Sequence, residues 1–197
     1  MTSTAPRATW WRRTLHRWAG RLPTRIIWAE RSEDDASAAP LFERGHLFTL
    51  RLPLLGEVTC YLHHYLRSDP DAGLHDHPWP WAVALPLAGG YREQRLTGLP
   101  LGQLGIVTRR RRPFLPYRLD GHDFHRVVVA AGRTSWSLFF VGRARAKPWG
   151  FLRPVALAAG PRPCDAVYYA AFSNEDGSHT EWWRTAPPGS ALDRAAP

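Results

Sequence analysis

The chain has 197 residues, 44% of them hydrophobic, which suits one globular domain with arms and excludes a disordered chain. A formal charge of +9 raises nucleic acid or an acidic membrane as partners, yet the arginines are scattered among Ala and Pro along the whole sequence. The charge therefore reads as composition, and a nucleic-acid role is not favoured. Cys60 and Cys164 make neither a disulfide framework nor a Cys-rich zinc site, and no stretch approaches the ~20 apolar residues of a membrane span.

Residues 1–40 read as a basic amphipathic arm. Trp11, Leu15, Trp18 and Leu22 line one face of a helix, with Arg12, Arg13, Arg17 and Arg21 filling much of the rest. A stripe of this kind is expected to pack on its own domain. The N-terminus is basic but has no continuous apolar run of the sort a secretory signal carries, so cytoplasmic residence is expected. Pro23 and "ERSEDDASAAP" mark a break before the main body.

From residue 46 the period becomes that of a strand. In "EVTCYLHHYLR", Val58, Cys60, Leu62, His64 and Leu66 fall on one side, and Thr59, Tyr61, His63, Tyr65 and Arg67 on the other. Cys60 reads as a buried structural thiol. "SDPDAG" is dense in turn formers, and "WAVALPLAGGYREQRL" reads as strand, Gly-Gly turn, strand. "GQLGIVTRR", "FLPYRL", "HRVVVAA" and "TSWSLFFVGR" follow, which predicts roughly eight short strands and an antiparallel sandwich or barrel over residues 41–160. Four successive arginines, 109–112, cannot form one stripe on a strand, and with Pro113 after them they read as a solvated sheet edge. Residues 161–197 read as an extension packing on the barrel with a frayed tail.

Histidines carry the chemistry. In "LHDHPWPW", His75 and His77 are two residues apart, so on extended backbone both imidazoles point to one side. Alone, such a pair serves a polar turn as well as half a metal site. His125 opens a strand on the same side as Val127 and Val129, the side expected to be interior. Three imidazoles converging inside a small barrel would form a facial site with positions left for substrate.

"RSDPDAGLHDHPWPWAVALPLAGGYRE", "HDFHRVVV" and "SWSLFFVGRARAKPWGF" together resemble the small single-domain bacterial and phage-type members of the cupin superfamily, which carry an HxHPW core and a downstream GGY. The likeness covers about residues 57–152, with an echo at "EWWR". It implies an all-β, double-stranded β-helix or jelly-roll barrel with an N-terminal helical arm, and a metal held by His75, His77 and His125. The glutamate that cupins commonly place four or five residues after the second histidine is replaced here by Trp81 and Ala82. That departure implies a three-histidine site, similar to that of thiol dioxygenases. One extra residue in the second motif leaves His122 and His125 as alternatives for the third ligand, and strand phase favours His125.

Around these histidines, Tyr91 and Glu93 share a strand face and are the candidate catalytic pair, with Glu93 read as a fourth ligand, a general base or a solvated strand residue. His63, Arg67 and Trp81 are the candidates for contacting substrate. Arg67 is placed to hold a carboxylate or to pair with Asp69 or Asp71. The expected function is O2-dependent oxidation of a small polar or anionic metabolite on Fe(II), with Zn, Ni, Mn or Cu as other fillings. The alternatives are a metal-dependent sugar or metabolite isomerase and a non-catalytic small-ligand binder. A homodimer is a family-level expectation.

Overall fold

Alternating apolar segments fold into two facing antiparallel sheets, with one helix laid on the outside. A computed structural model describes residues 6–28, 40–54, 56–69, 74–98, 104–142, 149–154, 167–172 and 184–192. Cys164, most of "EWWR" and the end of the C-terminal tail lie outside the described residues. The elements are α1 (Pro6–Ala19), β1 (Thr24–Trp28), β2 (Pro40–Leu52), β3 (Gly56–Tyr65), β4 (Leu74–His75), β5 (Trp81–Ala88), β6 (Tyr91–Gly98), β7 (Leu104–Arg111), β8 (Tyr117–Asp120), β9 (His125–Val128), β10 (Ser135–Gly142), β11 (Trp149–Pro154) and β12 (Val167–Phe172). One sheet runs β1-β2-β3-β10-β5-β8 and the other β12-β11-β4-β9-β6-β7, each six-stranded. This is the jelly-roll barrel that the cupin resemblance implies.

Strand alternation sorts the side chains between two faces. Tyr61, Ala82, Ala84, Leu119, Phe139 and Val141 form one interior cluster, and Tyr65, Tyr91, Val127 and Val129 a second; Tyr117 packs against both. On the outer face of the first sheet, Leu62, Leu87, Ala88 and Trp136 receive Leu15 of α1, with Trp11, Ala19 and Leu22 beside it. The helix therefore packs on its own domain through an i, i+4 stripe of Trp11, Leu15 and Ala19. Trp18, expected in that stripe, is exposed and leans edge-on against Trp11. Arg12 fastens the helix by donating from Nη1 to Thr134 Oγ1 (3.2 Å) and from Nη2 to the Thr134 carbonyl (3.3 Å).

Several strands were not legible in the sequence. β1 lies in the span read as an arm, yet "TRIIW" pairs antiparallel with the start of β2 as the sheet's edge. β4 has two residues, too few for any alternation to show. "FLPYRL" is extended only over Tyr117–Asp120, because Phe114 takes a positive φ of 64° in a turn whose N–H donates to the Pro86 carbonyl. The Gly-Gly turn between β5 and β6 requires its glycines. Gly89 and Gly90 both have positive φ, and a Cβ on Gly89 would collide with the Thr134 carbonyl oxygen. After β12, the 184–192 segment returns to the foot of α1, where Ser190 N–H donates to the Gly20 carbonyl and Gly189 N–H to that of Leu22. Among the described residues no helix is long and apolar enough to cross a membrane.

Two outcomes follow from this packing. Leu15→Ala, removing a fully buried side chain between helix and sheet, is expected to cost about 2–5 kcal/mol in denaturant unfolding. Cys60 is buried, and desolvation pushes its thiol up to about 12 against a weaker opposing hydrogen bond from the Phe139 backbone. Iodoacetamide at pH 8 should therefore leave the Cys60 peptide unmodified in folded protein and label it after denaturation, as read by peptide mass spectrometry.

Candidate metal centre

His75 and His125 are brought together by register. They are direct cross-strand partners of β4 and β9, where facing side chains stand close, and their ring centroids are 4.9 Å apart. His77 follows two residues after His75 on the same side, and its Nε2 lies 2.9 Å from His125 Nε2. One ligand atom from each of the three lies within 4.8 Å of the others. Asp76, between the first two, turns the opposite way: Gly150 N–H donates to its Oδ1 (2.7 Å), which locks the loop to β11. His122 is exposed in the turn before β9.

Below the cluster lies Glu93 of β6, with no exposed surface. Its Oε1 accepts from His125 Nδ1 (2.9 Å) and Arg95 Nη2 (2.9 Å), and its Oε2 from Arg111 Nε (2.7 Å). Burial pushes its carboxyl pKa up, but the bonds from His125, Arg95 and Arg111 outweigh that and hold it at about 2. A carboxylate only accepts, so the His125 proton sits on Nδ1 and the Nε2 lone pair faces His77. Arg111 also lies over the Tyr117 ring, its Cζ 3.8 Å from the centroid. The four-arginine run is thus an edge strand with one inward member, while Arg109, Arg110 and Arg112 are exposed.

Burial favours the neutral form of His75 and His77 and, from the facing sheet, of His63. Desolvation is the largest cause that brings His75 down to about 3 and takes His77 well below the usual range, and the Arg44 charge acts in the same direction. His63 is pulled down by desolvation, then by Arg44 and Arg25. Asp69 lies 3.9 Å from His75 Nδ1, and its Oδ2 accepts the Val127 N–H at 2.6 Å.

The other sequence candidates separate. Tyr91 faces the interior, but its hydroxyl is bonded to that of Tyr117 (2.6 Å), and burial raises its pKa to about 12. His63 is inside, stacked with Phe139. Arg67 is exposed: β3 ends at Tyr65, so strand alternation no longer fixes its direction. Trp81 lies on the outer face, because Ala82 and Ala84 take the interior phase of β5, and a Cβ on Gly142 would meet its ring. Trp79, in the bend before β5, is the ring that turns inward, stacked on His77 at 5.2 Å and 26°. Sequence reasoning also passed over Arg44, which sits on the interior face of β2 beside His63, Tyr61 and Trp79. Its signal was present in the alternation with Phe42, but an arginine facing a barrel interior runs against the usual pattern.

No family model and no curated protein matches the chain. Among solved structures, it is similar to HppE in its Fe(II) form (TM-score 0.41, 12% identity, 60% of this chain and 56% of that one). It is also similar to an oxalate oxidase in complex with the substrate analogue glycolate (0.38, 13%, 48% and 45%). A third is Peruvianin-I, a cysteine peptidase from Thevetia peruviana latex (0.38, 11%, 50% and 57%). The chain spans less than two thirds of the length of each. A fold does not fix a chemistry, so the chemistry of this chain has to come from its own residues.

Glu93→Gln removes the charge shared by Arg95 and Arg111 with little change of shape. The expected loss is about 3 kcal/mol, the lower end for a broken buried ion pair, because both guanidiniums keep some contact with water. A lower urea midpoint with an unchanged m-value would report it.

Proposed function

We propose that the protein is a mononuclear metal-dependent enzyme of the three-histidine kind, carrying out O2-dependent oxidation of a small polar or anionic metabolite. The observation that carries this reading is the convergence of three imidazoles inside the barrel, with the His125 tautomer fixed by a buried carboxylate. The donor set fits a metal. The 2.9 Å between the Nε2 atoms of His77 and His125 suits two ligands ~2.1 Å from one ion at about a right angle. His75, His77 and His125 would hold it, and Fe(II) is the filling we favour, since when bound it supplies O2 activation at the positions three protein ligands leave open.

The chain's own residues have definite tasks in this reading. Glu93 is no fourth ligand, because both its oxygens are taken; it keeps the proton on His125 Nδ1 and so keeps Nε2 available. Tyr91, tied to Tyr117, shapes the floor. Trp79 and Phe139 form an apolar wall beside His77 that limits water on that flank.

Metal analysis of protein purified without a tag tests the site. About one equivalent of metal is expected in wild type and in His122→Ala, with loss in His77→Ala. Iron together with substrate-dependent oxygen consumption supports the oxidase chemistry. Stoichiometric zinc or nickel, with turnover that persists without oxygen, would replace it by an isomerase in which the metal acts as Lewis acid. No metal after anaerobic reconstitution would overturn the reading.

A further inference from the structure

Arg44 stands in the middle of an inward row, directly opposite Arg25 of β1 on one side and His63 of β3 on the other. Its Nε donates to His63 Nε2 (3.1 Å). Arginine Nε–H only donates, so His63 carries its proton on Nδ1, where it donates to Tyr65 Oη (3.2 Å). His63 is thereby a holder of Arg44 rather than a free base.

Three rings surround the guanidinium. Its Cζ lies 5.3 Å from the Phe42 centroid, 5.4 Å from Tyr61 and 5.6 Å from Trp79, all within cation–π range. Trp79 stacks on His77, so one ring separates the guanidinium from the histidine cluster. Among the described residues no carboxylate is within ion-pair distance of Arg44, and its Nη groups have no protein acceptor. The contrast with Arg95 and Arg111 is direct: those cations share Glu93, while this one is desolvated beside rings and a second arginine. With Nε taken and rings about its faces, the end carrying Nη1 and Nη2 is the edge left for a ligand, and it matches a planar carboxylate fork to fork.

We propose that Arg44 is the specificity-determining residue of the site and takes the carboxylate of a small carboxylic acid through its two Nη groups. The rest of that molecule then reaches past Trp79 toward His75, His77 and His125. The assignment of a substrate class rests on the metal-centre reading above, but the anion subsite itself is testable without metal.

The test uses metal-free protein and acetate as probe, with acetamide as the neutral control, followed by 15N NMR of the arginine Nε–H signals. The Arg44 signal is assigned by its absence in Arg44→Gln. A saturable acetate shift of that signal, absent with acetamide, is expected, and it should persist in His77→Ala, which removes a metal ligand but not the guanidinium. Arg44→Lys keeps a charge in the same place but loses the fork, and should bind acetate roughly tenfold more weakly, read in both proteins from the backbone amide signals of Phe42, His63 and Trp79, while its acetate-free backbone spectrum stays close to wild type. This second variant serves if Arg44→Gln does not fold. No saturable shift, or an equal response to acetamide, would overturn the proposal even if the protein binds metal. An acetate shift in a protein that never takes up metal would uphold the subsite and remove the metalloenzyme reading.

Discussion

The carboxylate of Glu93 is the charge on which the interior of the second sheet depends. A negative group with no exposed surface, beside a cluster of rings and aliphatic side chains, is tolerable only when each oxygen is bonded. Arg95, Arg111 and His125 meet that requirement from three strands, β6, β7 and β9. The same bonds therefore stitch the sheet together, draw one arginine of a surface run inward and orient the third histidine. Stability and site geometry share one residue here, as happens when an outer carboxylate fixes the ring of a metal-binding histidine.

The first sheet solves a related problem differently. Its interior cation, Arg44, is held by a neutral imidazole and by ring faces instead of by a carboxylate. Its outer face carries a second polar group, Glu43 bonded to His64, whose ring stacks on Trp136 at 3.9 Å beneath α1. The two adjacent histidines of β3 thus do unlike things because alternation sends one inward to Arg44 and the other outward to the helix. An interior with neutral imidazoles on one wall and a guanidinium on the other is polarised.

The departure at the first motif also has a structural counterpart. Trp81 and Ala82, the pair at which the sequence departs from the cupin motif it resembles, continue β5, with Ala82 in the interior cluster and Trp81 on the outer face. The acidic group arrives from β6 instead and touches the cluster only through His125. Trp79, released by the bend before β5, occupies the flank of His77.

Local pattern alone determined much of this protein. Alternation of period two gave the β-rich body and the two faces of β3, the Gly-Gly pair marked the β5–β6 turn, and the i, i+2 spacing placed His75 and His77 on one side. These are properties of neighbours in the chain, and backbone geometry enforces them wherever the segment lies. Other features depended on pairing between distant segments. The two-residue β4 exists because β11 and β9 flank it, and β1 joins the sheet through β2. That His125 rather than His122 joins the cluster, that Glu93 is buried and that Arg44 faces His63 follow from register between strands tens of residues apart, while Arg67 and Trp79 take their directions where a strand has ended or not yet begun. A sequence states which side of its own strand a residue occupies. Which strand stands opposite, and hence which charge must be answered and by whom, is decided only when the two sheets close.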